Sequence, residues 1–203
     1  MLHFDRNMSA TETLMWHVES DPWLSPNGGG VALYEGVLDF ERYRNTMAYV
    51  AAEVLRFRQR VIPGPGPLSP PHWTIARDLD LDWHIRRIGA PGDGSLRALL
   101  DWANQFLQDP YDRTRPLWQN VVVEGLADGT CAVVGKIHHT VTDGAGAMRY
   151  AQLYNSPTRD TPDHPVVDLA TLVRHEPESH HGIQEEVVEA ASSLTIRGHR
   201  RVA

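Results

Sequence analysis

Residues 136–144 carry the side chains of this chain that are best suited to chemistry. The run reads KIHHTVTDG, so His138 and His139 are adjacent and Asp143 follows His139 by four residues. A histidine can take up a proton near neutral pH, and a carboxylate four residues later can fix the geometry around it. Gly144 would permit a backbone conformation that a side chain would obstruct. The run is therefore a candidate site for proton transfer.

Three interpretations fit this spacing. In the first, the histidines are polar residues at the end of a strand and Asp143 is the N-cap of the next helix, a position that Asp favours. In the second, His139 and Asp143 bind a metal ion, although no Glu or third His lies nearby in the sequence to complete the ligand set. In the third, His139 is a general base for group transfer. The chain has no Gly-x-Ser-x-Gly elbow and Cys131 lies within a predicted strand, so a substrate hydroxyl would attack directly, without a protein nucleophile.

The run lies between a predicted strand and a predicted helix, where reactive side chains are common in α/β proteins. Strands are predicted at residues 31–38, 57–62, 73–76, 83–88, 117–123 and 130–137, and helices from Ser9 to before Pro22 and at residues 40–55, 96–107 and 144–154. An Asp-Gly pair between the last two strands favours a hairpin. Residues 25–30, with three consecutive glycines, are predicted to form a loop. This alternation predicts an α/β fold with a mixed sheet flanked by helices.

The composition limits the classes of function. The chain has 203 residues, a formal net charge of −7 and a hydrophobic fraction of 41%, which fit a folded protein and not a general nucleic-acid binder. Its one cysteine, Cys131, excludes an internal disulfide framework and a cysteine-based zinc site. The apolar runs are far shorter than the ~20 residues of a spanning helix, and the N-terminus does not read as an export signal. We therefore expect a soluble, cytoplasmic protein.

The candidate site also carries a family resemblance. HHTVTDG at residues 138–144 matches the HHxxxDG motif of CoA-dependent acyltransferases and of peptide-synthetase condensation domains. WHIRR at 83–87, DRTRPLW at 112–118 and VEGL at 123–126 precede it in the order and spacing of a narrower group. Together, these segments resemble the N-terminal half of the bacterial wax ester synthase/diacylglycerol acyltransferase family, over about residues 8–155.

The resemblance implies an architecture. It implies the N-terminal half of the CoA-dependent acyltransferase fold, also called chloramphenicol acetyltransferase-like, with residues 1–155 as a half-domain that holds the motif. Residues 156–203 would then be a linker and polar tail, with a weak amphipathic helix at 183–194, leading toward an absent C-terminal half. Because the family's active site lies in a channel between two similar halves, we expect a partner chain that supplies the second half, or self-association.

The resemblance also implies a reaction. Members of the family transfer a long-chain acyl group from acyl-CoA to diacylglycerol or to a long-chain alcohol. The matching His139 would be the general base, Asp143 would hold the shape of the motif, Gly144 would keep the channel open, and His138 would pack or form hydrogen bonds. Acyl-CoA enters as a substrate, so neither a metal nor an organic cofactor is expected. The expected partners are acyl-CoA, a lipid hydroxyl and the surface of the inner membrane or of lipid inclusions, not nucleic acid.

The second matching segment, Arg115-Pro116-Leu117-Trp118, is predicted to support the structure. Arg115 would pair with an acidic neighbour, Pro116 would restrict the chain as it enters the strand, and Trp118 would fill the core. The family often has Glu after this Trp, where this chain has Gln119. An ion pair at that position is therefore not expected here.

Two other functions stay open at this point. A truncated and catalytically silent acyl-CoA- or lipid-binding remnant could keep the same motif. A condensation-type acyltransferase of another branch would share HHxxxDG, but such proteins do not usually have the Arg-Pro-Leu-Trp segment at this spacing.

Overall fold

The main sheet of the computed structural model has four strands in the order β1-β6-β5-β4, and β2 and β3 form a separate two-stranded sheet. The structure describes residues 6–21, 23–66, 69–142, 144–155, 158 and 161–176. The strands are β1 Asn27–Glu35, β2 Gln59–Ile62, β3 His72–Ile75, β4 Ile85–Gly89, β5 Trp118–Glu124 and β6 Thr130–His138. The helices are α1 Ala10–Val18, α2 Phe40–Glu53, α3 Leu81–His84, α4 Leu96–Gln108, α5 Gly144–Tyr154 and α6 Leu169–His175, with a 3-10 turn at Leu55–Arg58. The fold class predicted from the sequence, a mixed sheet flanked by helices, is confirmed.

Strand direction explains why the sheet is mixed. β6 pairs antiparallel with both β1 and β5, and β4 pairs parallel with β5. The β5–β6 hairpin has Gly129 at φ +80°, the left-handed conformation that its Asp-Gly turn predicts. The parallel pair needs a long crossover between its strands, and α4 supplies it.

The main sheet separates two apolar cores. On one face, Leu99, Ala103 and Phe106 of α4 pack over Val121 and Val134. These α4 residues follow one another at helical spacing, so one stripe of the helix is buried. Burying a Leu or Phe side chain stabilises the fold by about 1.5–3 kcal/mol, and α4 is thereby fixed across this face.

The opposite face carries the larger core. Met47 and Val50 of α2, Phe57 of the 3-10 turn and Trp73 of β3 pack around Trp118 on the sheet. The Phe57 and Trp118 rings lie 5.0 Å apart between centroids. This packing holds α2 and the two-stranded sheet against the face that carries the cavity described below.

Local capping signals place three helix starts correctly. Ser9 and Glu12 form the predicted capping box at the start of α1. Asp39 accepts a hydrogen bond from a backbone N–H in the first turn of α2, and Ser95 does the same for α4. Such a cap stabilises a helix by about 1 kcal/mol.

Several predicted boundaries are wrong; for example, the strand predicted at 31–38 ends at Glu35, and the strand predicted at 57–62 begins at Gln59. The glycine-rich run at 25–30 is not a loop, because β1 begins at Asn27 and its glycines pair with β6. The predicted strand at 83–88 begins only at Ile85, because Asp80 caps a helical turn that includes His84. At 25–30 the distant strand β6 supplies the backbone partners, whereas at 83–84 a local cap sets the conformation.

The C-terminal helix α6 was not predicted from the sequence. Leu169 and Val173 of α6 are buried against the rest of the chain. The Arg58 guanidinium lies 2.8 Å from a Glu176 carboxylate oxygen, and Arg77 donates to the Val173 carbonyl at 3.2 Å. Residues 161–176 therefore contact the predicted half-domain, while the domain boundary at 155 stays a prediction and the predicted helix at 183–194 lies outside the described residues.

Within the part of the chain that the structure describes, every helix is too short or too polar to cross a bilayer.

Candidate active site

The two adjacent histidines point to opposite sides of the sheet. Side chains alternate between the two faces of a strand, and β6 ends at His138. His138 is fully buried, with its ring centroid 6.3 Å from that of Trp16 and 5.9 Å from that of Tyr111. His139 is exposed and lines a cavity on the opposite face, together with Ile137. Alternation along β6 therefore separates a packing histidine from one that can meet a substrate.

Hydrogen bonds fix the tautomer of His138. The backbone N–H of Thr140 donates to His138 Nδ1 at 3.1 Å, and the Thr140 hydroxyl lies 2.8 Å from the same nitrogen. Because a backbone N–H can only donate, Nδ1 is unprotonated and Nε2 carries the proton. Nε2 faces a Glu19 carboxylate oxygen at 3.6 Å. Burial lowers the pKa of His138 to about 4, against the opposing effect of Glu19 and with a smaller contribution from Arg113, so this ring is neutral at pH 7.

A tight turn presents His139. The Val141 N–H donates to the His138 carbonyl at 2.9 Å, which closes a four-residue turn. The His139 N–H donates to the Pro26 carbonyl at 3.0 Å, which ties the turn to the segment before β1. A Cβ placed on Gly28 would lie 3.6 Å from His139 Nε2. The backbone on both sides is thus held while the imidazole faces open space.

The cavity next to His139 has a volume of about 390 Å³, within the range of small-molecule sites. Its floor is the sheet and its walls come from α2, α5 and the 3-10 turn. Most of the lining is apolar, aromatic or backbone; it includes Gly28, Gly30, Ala32, Tyr34, Met47, Phe57, Trp118, Val133, Ile137, Ala147, Tyr150 and Tyr154. A cavity of this chemistry suits an apolar chain better than a polar molecule.

A hydrogen-bonded polar pair lies within the lining. Asn120 of β5 donates from Nδ2 to the Tyr43 hydroxyl of α2 at 2.9 Å. A Cβ on Gly135 would lie only 2.7 Å from Asn120 Oδ1, so the glycine makes room for the amide. Burial raises the pKa of Tyr43 well above its ordinary value, and the phenol stays neutral. Gly135 precedes His139 by four residues, about 13 Å along a strand, so the pair lies away from the base.

The Arg-Pro-Leu-Trp segment is built into the structure. Arg115 Nε lies 3.3 Å from an Asp112 carboxylate oxygen, and its guanidinium lies 4.8 Å from the Trp83 ring centroid. Trp118 is buried, and its indole N–H donates to the Phe57 carbonyl at 2.9 Å. Pro116 is also buried, directly before β5. These contacts agree with a supporting role for the segment, although one face of the Trp118 ring also lines the cavity.

The backbone conformation at residue 144 does not require a glycine. Its φ is outside the left-handed range, and a Cβ added there would meet nothing within 4 Å. The expectation that a side chain would obstruct the backbone at this position is therefore wrong. Gly144 does line the cavity, so a role in keeping the channel open stays a prediction. Asp143, to which the sequence assigned a structural, capping or metal-binding role, lies outside the described residues.

Sequence reasoning missed the residues that support the two histidines. Glu19 and Thr140 hold His138, and Tyr43 and Asn120 cross the cavity. Glu19 lies 119 positions before His138, so no local pattern reveals the contact. The three consecutive glycines at 28–30 show no strand-period alternation, so the cavity floor had no such signal either.

Comparison with known proteins identifies the family of this chain. Residues 6–199 match the family model described as the wax ester synthase/diacylglycerol acyltransferase catalytic domain. A Mycobacterium tuberculosis protein provisionally named a diacylglycerol O-acyltransferase is 36% identical over 164 residues, covering 78% of this chain and 33% of that protein. This chain thus spans about a third of the length of that relative.

Two solved structures share the fold. The wax ester synthase/diacylglycerol acyltransferase from Marinobacter aquaeolei VT8 has a TM-score of 0.56 and 28% identity, covering 71% of this chain and 37% of that one. The starter condensation domain of rhizomide synthetase has a TM-score of 0.61 and 20% identity, covering 73% of this chain and 37% of that one; its likeness shows the fold alone. The match over residues 6–199, together with the relatives, shows that the chain belongs to the wax ester synthase/diacylglycerol acyltransferase family.

Proposed function

We propose that this chain carries the catalytic base of an O-acyltransferase that moves a long-chain acyl group from acyl-CoA to diacylglycerol or to a long-chain alcohol. The observation that carries the proposal is the position of His139, exposed at the end of β6 and beside an apolar cavity of about 390 Å³. The names of the relatives support the choice of reaction.

In the proposed reaction His139 accepts the proton of the lipid hydroxyl as its oxygen attacks the thioester carbonyl. The new C–O bond forms, the C–S bond breaks, and the proton passes from the imidazolium to the departing CoA thiolate. The products are an ester and free CoA. A positioned general base supplies about 10²- to 10⁴-fold in rate, and no nucleophile of the protein is needed. Acyl-CoA is consumed as a substrate, so the proposal includes neither a metal nor an organic cofactor.

Supporting roles are proposed for the rest of the motif. His138, whose proton-bearing nitrogen faces Glu19, holds the turn that presents His139. We assign Asp143 to the shape of the same turn and Gly144 to the open side of the cavity. Arg115, Pro116 and Trp118 hold the start of β5 beside it. A second half, supplied by a partner chain or by self-association, would complete the channel around the acceptor.

Contact with a lipid surface is part of the same proposal. Trp23 is 92% exposed and Leu24 is 52% exposed. They precede Pro26, whose carbonyl accepts the hydrogen bond from His139. Trp side chains favour the interface between membrane and water, so this segment would place the entrance of the site against a membrane or a lipid inclusion.

The direct test measures ester formation and CoA release by the purified chain. The substrates are a long-chain acyl-CoA with diacylglycerol or a fatty alcohol, and the variant is His139→Ala. We expect the variant to lose at least about 100-fold in rate, with a melting temperature close to that of the wild type because His139 is exposed. His175→Ala, which also removes an exposed histidine, is the matched control.

Three results would contradict the proposal. Equal turnover by the wild type and His139→Ala would remove His139 from the reaction. A folded wild-type chain that binds acyl-CoA and forms no ester, alone or at concentrations that allow self-association, would favour the silent acyl-binding module. Amide formation with amine acceptors, in place of ester formation with hydroxyl acceptors, would favour the condensation-type branch.

A further inference from the structure

The cavity-facing side of β1 lacks large side chains over three successive positions. A Cβ on Gly28 would point toward His139, whereas a Cβ on Gly29 would collide with Leu107 on the opposite face. The residues on the same side as Gly28 are Gly30, Ala32 and Tyr34, because side chains alternate along a strand. We call the cavity-facing surface of these four residues of β1 the acyl trench.

The trench is free of side chains at Gly30. Gly30 pairs with Gly135 of β6, so two neighbouring strands both lack a side chain at this level. A Cβ on Gly30 would meet nothing within 4 Å. Asn120 lies over Gly135, and its amide N–H is bonded to Tyr43. The polar pair therefore borders the trench, with one amide N–H of Asn120 engaged by the Tyr43 hydroxyl.

The trench runs directly away from the catalytic base. It starts where Gly28 approaches His139 Nε2, and Tyr34 lies at its far end. Six residues of extended strand separate Gly28 from Tyr34, a length of about 20 Å. Ala147, Tyr150 and Tyr154 of α5 line the same cavity. An extended hydrocarbon chain fits such a groove, with its reactive end at the histidine.

We propose that the acyl trench holds the fatty chain of the thioester, and that Gly30 determines the length of the chain that binds. The thioester lies beside His139 and the methyl end points toward Tyr34. This inference rests on the proposed function for the identity of the ligand. The position of Gly30 supports the inference. Gly30 follows Gly28 by two residues, which is about 7 Å along the strand. A side chain at residue 30 would therefore block all but the first part of the trench.

The test measures binding and not catalysis. Dissociation constants are measured for S-alkyl-CoA thioethers from butyl to octadecyl length, which cannot transfer their chain. For the wild type we expect the affinity to rise by up to about fourfold for each methylene, the equivalent of about 0.8 kcal/mol, until the trench is filled. For Gly30→Val we expect the rise to stop earlier. The octadecyl compound should bind at least about tenfold more weakly, and the butyl compound within about twofold of the wild type.

A matched control separates the trench from a general effect on the strand. Gly89→Val places the same side chain on β4, where an added Cβ also meets nothing within 4 Å, and we expect it to leave the length dependence unchanged. Val is favoured in strands, so both variants should fold; circular dichroism checks this, and Gly30→Ala provides a milder block if Gly30→Val does not fold.

The outcomes for the trench and for the proposed function are distinguishable. If Gly30→Val and the wild type show the same length dependence, or if the wild type shows none, the trench proposal is overturned. His139→Ala should keep the wild-type dependence of affinity on chain length, because it removes the base and leaves the acyl trench unchanged. If the wild type binds with the expected dependence on chain length but forms no ester, the trench proposal is supported and the proposed reaction is contradicted.

Discussion

A Glu19 carboxylate oxygen lies 3.6 Å from His138 Nε2, which joins the residue after α1 to the last residue of β6. The same carboxylate accepts a hydrogen bond from Arg113 Nε at 3.2 Å, and the Arg113 guanidinium lies 4.0 Å from the Trp16 ring centroid. The N-terminal helix therefore supports the turn that presents His139. Within the proposed function Glu19 is a positioning residue, because it acts through His138.

Replacing Glu19 by Gln should weaken this support. The change removes the charge that faces both the Arg113 cation and the Nε2–H of His138. We expect the free energy of unfolding to fall by about 1–3 kcal/mol, and acyl transfer to slow as the turn loosens. Urea unfolding measures the first effect. Glu53→Gln, at an exposed position, is the control. An equal change in the free energy of unfolding in both variants would mean that the Glu19 contact does not stabilise the fold.

Stability should depend on pH through the buried His84. Its Nδ1 lies 2.7 Å from the Trp118 carbonyl, to which it donates, and its ring stacks on Trp118 with centroids 4.4 Å apart. Burial lowers the pKa of His84 to about 4, the Trp118 carbonyl opposes this shift, and Arg115 adds to it. The unfolded chain binds a proton near pH 6.5 and the folded chain only near pH 4, so the free energy of unfolding should fall as the pH drops through this range. The loss is up to roughly 3 kcal/mol.

Urea unfolding at a series of pH values checks this expectation. His138, whose pKa is also lowered to about 4, contributes in the same direction. His84→Gln should be less stable at pH 7, yet show a shallower decline between pH 6.5 and 4. The exposed His175→Gln should keep the wild-type decline. An identical decline in wild type and His84→Gln would refute the assignment to His84.

Gly135→Ala should damage the cavity border. The new methyl would lie 2.7 Å from Asn120 Oδ1, so the amide must move away from Tyr43. We expect a loss of about 1–3 kcal/mol, typical of an overpacked site. A double-mutant cycle with Asn120→Ala measures the coupling, because removing the amide also removes the clash. Strict additivity of the two changes would contradict this geometry.

The parts of the fold that follow from local patterns could be predicted from the sequence. Asp39 and Ser95 mark helix starts because a capping side chain acts within one turn. The β5–β6 hairpin follows from two apolar strands joined by Asp-Gly. His139 could be identified because its motif is contiguous, although its role as the base stays a prediction.

The parts that depend on distant partners could not be predicted in this way. Glycines usually indicate loops, but Gly28, Gly29 and Gly30 form a strand because β6 supplies their hydrogen-bond partners. The α6 helix docks through contacts such as Arg58 with Glu176, which lie 118 positions apart. Local propensity contains no information about such pairs.

The pairing of β1 with β6 also has a consequence for how the molecule forms. Gly30 lies opposite Gly135, so about a hundred residues of chain must be ordered or looped out before β1 can dock. Long-range pairing of this kind is slow compared with closing the β5–β6 hairpin, and β1 is expected to join the sheet late. When β1 docks, it forms the floor of the cavity and brings in the Pro26 carbonyl, which accepts the hydrogen bond from the His139 N–H. The cavity beside His139 is therefore incomplete until β1 is in place.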